Sequence, residues 1–172
     1  VSAQSEVLVR DARPAERDAL RELTLSAYAQ YATIMEPSAW VLLREALIAA
    51  LTADSGAQQI VAEGDGRLLG SVLLFAASTD AYGTVGPRAD WPEIRLLAVA
   101  PEARGSGVAK LLVADCVRRA KGLGAVAIGL HTSPSMREAI RLYEGFGFRR
   151  DPAHDIHVKG AEPIDAYQLP LG

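Results

Sequence analysis

The sequence predicts a mixed α/β sheet flanked by helices, with about six to seven strands and about four helices. Short apolar, β-branched runs recur between segments of helical periodicity. A glycine spacer joins two of those runs as a hairpin, and a later strand–helix–strand succession requires at least one parallel crossover. At 172 residues, 49% of them hydrophobic and 23% charged, the chain has the length and composition of one packed domain. The expected organisation is a single domain over residues 1–172, with 1–6 as a flexible tail.

The elements follow in order. Val7–Arg10 is a short strand, and Pro14 opens a helix to Tyr28 carrying Leu20, Leu23, Leu25 and Ala27. Pro37 and Ser38 open a second helix with Val41, Leu42, Ala46, Ile48 and Leu51. Gln59–Glu63 and Arg67–Ala76 flank Gly64-Asp65-Gly66, a hairpin turn that needs positive φ. Residues 77–92, rich in Gly, Pro, Asp, Ser and Thr, read as a long loop. Glu93–Val99 is a strand, and Gly107–Lys121 is a helix with Val108, Leu111, Leu112, Cys116 and Ala120 on one face. Ala125–Leu130 is an apolar strand of the kind buried on both sides. Ser135–Glu144 is a helix stopped by Gly145, and Phe146–Arg149 and Ile164–Leu169 are final strands.

A net charge of −3 argues against a general nucleic-acid binder, because phosphate neutralisation needs a cationic face. No apolar run reaches the ~18 residues of a membrane-spanning helix, and V-S-A-Q-S-E has neither a basic nor an apolar leader region. The lone Cys116 forms no internal disulfide. The expected location is therefore the cytoplasm.

The chemistry concentrates after the Glu93–Val99 strand, in Arg104-Gly105-Ser106-Gly107-Val108-Ala109. Free N–H groups at a helix N-terminus attract an anion, glycines let a phosphate approach, and Arg104 adds a delocalised cation. The segment also reads simply as a tight turn that needs glycine. A P-loop is excluded because Lys110 is followed by Leu111, not Ser or Thr. A dinucleotide fingerprint is disfavoured because Lys110 stands at its third glycine and Leu130-His131-Thr132 at its acidic position.

R-G-S-G-V-A resembles the Arg/Gln-x-x-Gly-x-Gly/Ala signature of the GNAT superfamily of acetyl-CoA-dependent N-acetyltransferases. A-I-R-L-Y-E-G-F-G-F, residues 139–148, is similar to a second hallmark of that family, and the element order fits along nearly the whole chain. The resemblance implies that the main chain of Arg104, Gly105, Ser106, Gly107, Val108 and Ala109 holds the pyrophosphate of acetyl-CoA. It implies that Leu97, Ala98 and Val99 pair with the pantetheine arm like an added strand, with an amide at Leu97 or Ala98 facing the thioester oxygen. Tyr143 matches the tyrosine that protonates the departing thiolate; it also reads as a core tyrosine. Glu93 stands where some members carry a general base, and it also reads as an exposed carboxylate at a strand start; an ordered water serves as well. Met136 occupies the place of an asparagine that contacts pantetheine in many members.

The implied reaction is direct attack of a primary amine, on a small molecule or peptide, within a ternary complex. No metal is implied. The alternatives are a non-catalytic acyl-CoA-binding regulatory module and, more weakly, a dinucleotide oxidoreductase. Tyr31, Glu36 and His131 are the candidate acceptor-site residues; for His131 a hydrogen-bonded structural imidazole is the default. Trp40 reads as interhelical packing. His154 and His157 lie in an irregular, Pro-interrupted segment without metal-ligand spacing. Homodimers are common in the family, but no interface is legible in the sequence.

Overall fold

A computed structural model describes residues 6–77, 90–159 and 162–172. The tail expected over 1–6 and the loop expected over 77–92 lie almost wholly outside the described residues.

The strands are β1 (Leu8–Asp11), β2 (Gln58–Gly64), β3 (Arg67–Phe75), β4 (Glu93–Val99), β5 (Ala127–Thr132), β6 (Arg149–Arg150) and β7 (Asp165–Pro170). They form one seven-stranded sheet in the order β1-β2-β3-β4-β5-β7-β6. Only β4 and β5 run parallel, joined by the expected crossover through α3 (Val108–Gly122); the other neighbours are antiparallel. The remaining helices are α1 (Arg17–Tyr28), α2 (Pro37–Thr52) and α4 (Arg137–Phe146).

Alternation along the strands sorts the two faces. Ile60, Ala62, Val72, Leu74, Ile94, Ile128 and Leu130 turn one way and pack with Val108, Leu112, Val113, Cys116 and Ala120 of α3 and Tyr143 of α4. Val61, Leu73 and Phe75 turn the other way, toward the side of α1. The face expected for α3 is corrected at one position: Leu111 is largely exposed, and Val113 takes the buried place. The α2 stripe is corrected more broadly. Among its residues only Leu47 is buried, while Val41 and Leu42 are exposed, because among the described residues no strand packs extensively against the helix.

Several strand limits also shift. β5 begins two residues later than expected, and Phe146 belongs to α4, whose end is set by Gly147 at φ 95°. β7 inserts between β5 and β6, so the last strand of the chain is not at the sheet edge. At the other edge Arg10 on β1 is held by Glu16 and Glu63, and Arg119 of α3 reaches Asp11 at 2.6 Å. These contacts tie β1 to the helices on its flank.

Leu112 is fully buried at the centre of the α3 face. Leu112→Ala is expected to lower the unfolding free energy by about 2–5 kcal/mol, read from urea denaturation.

Candidate active site

β4 and β5 pair at only two positions, Glu93 with Gly129 and Ile94 with Leu130. Beyond Ile94 the two parallel strands part. The cause lies in β4, where four residues (Arg95 to Ala98) span the interval that three residues of β3 (Ser71 to Leu73) cover. The extra residue is a β-bulge, and Leu96 within it has φ 54°, a left-handed conformation seldom taken by a branched apolar residue. The bulge also switches face parity. Ile94 packs on the α3 side, and after the inserted residue Leu97 and Val99 do so again.

The chain then enters the glycine loop. Gly105 at φ 76° and Gly107 at φ 86° both need the left-handed region, and a Cβ at either would meet nothing within 4 Å. Glycine is there for backbone shape, and it leaves the amide side open. The first bond of α3 is from the Leu111 N–H to the Gly107 carbonyl, 3.2 Å. The N–H groups of Val108, Ala109 and Lys110 therefore have no acceptor within the helix, and they sit at the positive end of its dipole. The Ser106 hydroxyl donates to the Ala103 carbonyl, which stiffens the loop. The Arg104 guanidinium donates to the Ala27 carbonyl at the end of α1, 2.9 Å, so part of this cation is committed to a helix C-terminus.

A cavity of about 420 Å³ opens where the strands part. Arg95, Leu96, His131, Thr132 and Ser133 form its strand-end wall, and α2 supplies the opposite wall through Leu42, Leu43 and Leu47. Ile156, Val158 and Glu162 close a third side; the Glu162 carboxylate accepts from the Ser133 and Ser135 hydroxyls, 3.2 Å each. The sequence did not single out Leu42, Leu43 or Val158 for a site, and no chemical signal marks such apolar residues in a chain of this composition.

Glu93 and His131 come together on the α1/α2 side of the sheet. Glu93 is 6% exposed and does not line the cavity; the expectation of an exposed carboxylate at a strand start is corrected, because the β3 and β5 pairings of Glu93 enclose it. His131 does line the cavity, and its Nδ1 lies 3.4 Å from Glu93 Oε2. Its Nε2 donates to the His154 carbonyl, 2.8 Å. A carbonyl only accepts, so Nε2 carries hydrogen, and Nδ1 faces a carboxylate stably only with a proton between them. Burial alone lowers the His131 pKa, but the Glu93 carboxylate and the His154 carbonyl outweigh it, and the net shift is upward. Gly129 makes the room: a Cβ there would lie 2.5 Å from Trp91 Nε1 and 2.9 Å from Glu93 Oε1.

The other anticipated residues fall as follows. Tyr31 sits in a neighbouring recess with Ser135 and Glu138, its phenol raised in pKa by burial, and its ring lies 5.7 Å from that of Tyr28. Glu36 is exposed at the start of α2 and lines neither recess; Met35 and Ala39 do so in its stead. Tyr143 is buried in the α3-side core, edge-on to Phe148 at 5.8 Å. Met136 lines the cavity. His154 pairs with Asp151 at 2.7 Å and packs against the Trp91 ring. No helix among the described residues is long and apolar enough to cross a membrane.

Residues 17–148 match the sequence model of the acetyltransferase (GNAT) family, and the chain belongs to that family. Its fold is similar to a GNAT acetyltransferase from Streptococcus agalactiae 2603, with a TM-score of 0.71, 17% identity and 95% of each chain covered. It is similar also to a GNAT acetyltransferase from Brucella melitensis crystallised in complex with acetyl-CoA, with a TM-score of 0.62, 19% identity, and 98% of this chain and 90% of that chain covered. The ribosomal-protein-S18-alanine N-acetyltransferase from Escherichia coli aligns with a TM-score of 0.66 and 14% identity over 97% of this chain and 95% of that one. No curated protein sequence matches the chain.

The upward shift at His131 has a consequence for stability. A raised folded-state pKa gives stabilisation that is complete below the ordinary value of 6.5 and is lost as pH rises through the folded value. The urea midpoint of the wild-type chain is expected to fall as pH rises above 6.5, and His131→Asn should remove that component of the slope.

Proposed function

We propose that the chain is an acetyl-CoA-dependent N-acetyltransferase acting on a primary amine by direct transfer. The observation that carries this is the succession along one strand: β4 leaves β5 after two paired residues, bulges at Leu96, and runs into the open amides of the Gly105–Gly107 turn. The residues fit the cosubstrate's chemistry. Its pyrophosphate suits the amides from Gly105 to Ala109 at the α3 N-terminus, and its amide-bearing arm suits the unpaired β4 edge at Leu97, Ala98 and Val99.

Acetyl-CoA supplies an activated acetyl thioester. The chain's own groups orient and polarise it: an amide at the bulge donates to the carbonyl oxygen, and Tyr143 returns a proton to the sulfur. Glu93 reaches the cavity only through His131, whose ring nitrogens are both engaged. The acceptor ammonium therefore loses its first proton to bulk solvent before the neutral amine attacks, and the second proton, released from nitrogen as the amide forms, balances the one Tyr143 gives to the sulfur.

One observation favours the non-catalytic acyl-CoA-binding reading: Tyr143 packs in the core and is not among the residues lining the cavity. Thiol release with acetyl-CoA and a panel of amines separates the two. Steady release supports transfer; acetyl-CoA protection against melting without release for any amine supports the binding module. Tyr143→Phe is expected to lower kcat by about 10²-fold or more at saturating substrates, and an unchanged kcat removes the phenol from the reaction. Gly107→Val, which forces a β-branched residue to φ 86°, is expected to weaken acetyl-CoA binding in calorimetry by about tenfold or more.

A further inference from the structure

The cavity between the strand ends and α2 divides by chemistry. Arg95, His131, Thr132 and Ser133 gather at the strand ends, with Glu162 bonded to Ser133, whereas Met35, Leu42, Leu43 and Leu47 form an apolar basin on the side of α2. α2 is apolar on nearly every side, yet among its residues only Leu47 is buried, and Leu42 is 50% exposed at the cavity wall. An apolar surface of this kind, concave and beside a polar reaction centre, is stabilised when an apolar body displaces its water.

Charge narrows the occupant further. Among the described lining residues Glu162 is the only carboxylate, and it accepts from the Ser133 and Ser135 hydroxyls. An acceptor with several ammonium groups would have to desolvate one of them against the apolar basin. A single amine on an apolar body avoids that cost.

Resting on the acetyl-transfer reading above, we infer that the acceptor is a primary amine carried on a hydrophobic body, arylalkyl or branched alkyl. Its nitrogen lies at the Leu96–His131 end and its body against Leu42, Leu43 and Leu47. Polyamines, aminosugars and lysine side chains of peptides are poor acceptors. The α2 wall sets this choice, so Leu42 is a specificity-determining residue.

The test compares 2-phenylethylamine and 3-methylbutylamine with spermidine, glucosamine and lysine amide in the thiol-release assay, in wild type and in Leu42→Glu and Leu42→Met. The expected result is kcat/KM at least about tenfold higher for the two apolar amines. Leu42→Glu should raise their KM by about tenfold or more, and Leu42→Met, which keeps an apolar contact, should raise it far less. Leu42 is half-exposed, so both variants should melt with the wild type. Equal or better turnover of the polar amines overturns this inference while the transfer reading stands. If no amine is turned over, calorimetric titration with 2-phenylethylamine decides. Saturable binding weakened by Leu42→Glu supports the apolar site and removes only the transfer reading; no saturable binding overturns the inference.

Discussion

The early parting of two parallel strands is the constraint on which the rest of the site depends. A parallel ladder in a sheet interior normally continues to the strand ends, because buried amides left without partners are costly. Here the ladder between β4 and β5 stops after Ile94 and Leu130. Leu96 holds a left-handed conformation at a cost of order 1–3 kcal/mol. The surrounding packing keeps it there. Restoring regular register would turn Leu97 and Val99 away from the α3 core and bring Leu96 and Ala98 into it. The bulge is thus held by the apolar contacts on one face while it opens the sheet between β4 and β5.

The two halves of the site are joined mechanically. The Arg104 side chain leaves the glycine loop and caps a carbonyl at the end of α1, and α1 runs on through a 3-10 turn toward α2 and the apolar wall. On the far side the His154 carbonyl receives the His131 N–H, which links the β6–β7 region to the strand ends. Arg104 thus ties the glycine loop to α1, and His131 ties the end of β5 to the turn at His154.

Much of this was legible in the chain itself. Glu93–Val99 is a strand to the residue, and Gln58–Gly64 with Arg67–Phe75 forms the hairpin that Asp65 and Gly66 demand. Such elements are set by local chemistry: glycine at positive φ, proline at a helix start, alternating apolar residues. What was not legible depends on partners distant in sequence. Nothing in E-I-R-L-L-A-V marks Leu96 as the bulged residue, because the mismatch arises only against β3. The burial of Glu93 follows from Gly129 and His131, more than 35 positions away. Leu42 looked like an ordinary core residue because periodicity records which side of a helix is apolar and not whether anything covers it. The turn at R-G-S-G-V-A was readable since its shape resides in its own backbone, glycine at positive φ leading into α3.

Cys116 lies at the centre of the α3 face with no exposed surface, and burial, with Asp115 beside it, pushes its thiol up to about 12. A thiol so sealed and so poorly ionised is inert to chromogenic disulfides and maleimides while the chain stays folded. The protein therefore contributes no background colour of its own when a liberated sulfhydryl is followed optically, and a dye attached through a cysteine engineered on its surface would report from one address without any native residue being removed.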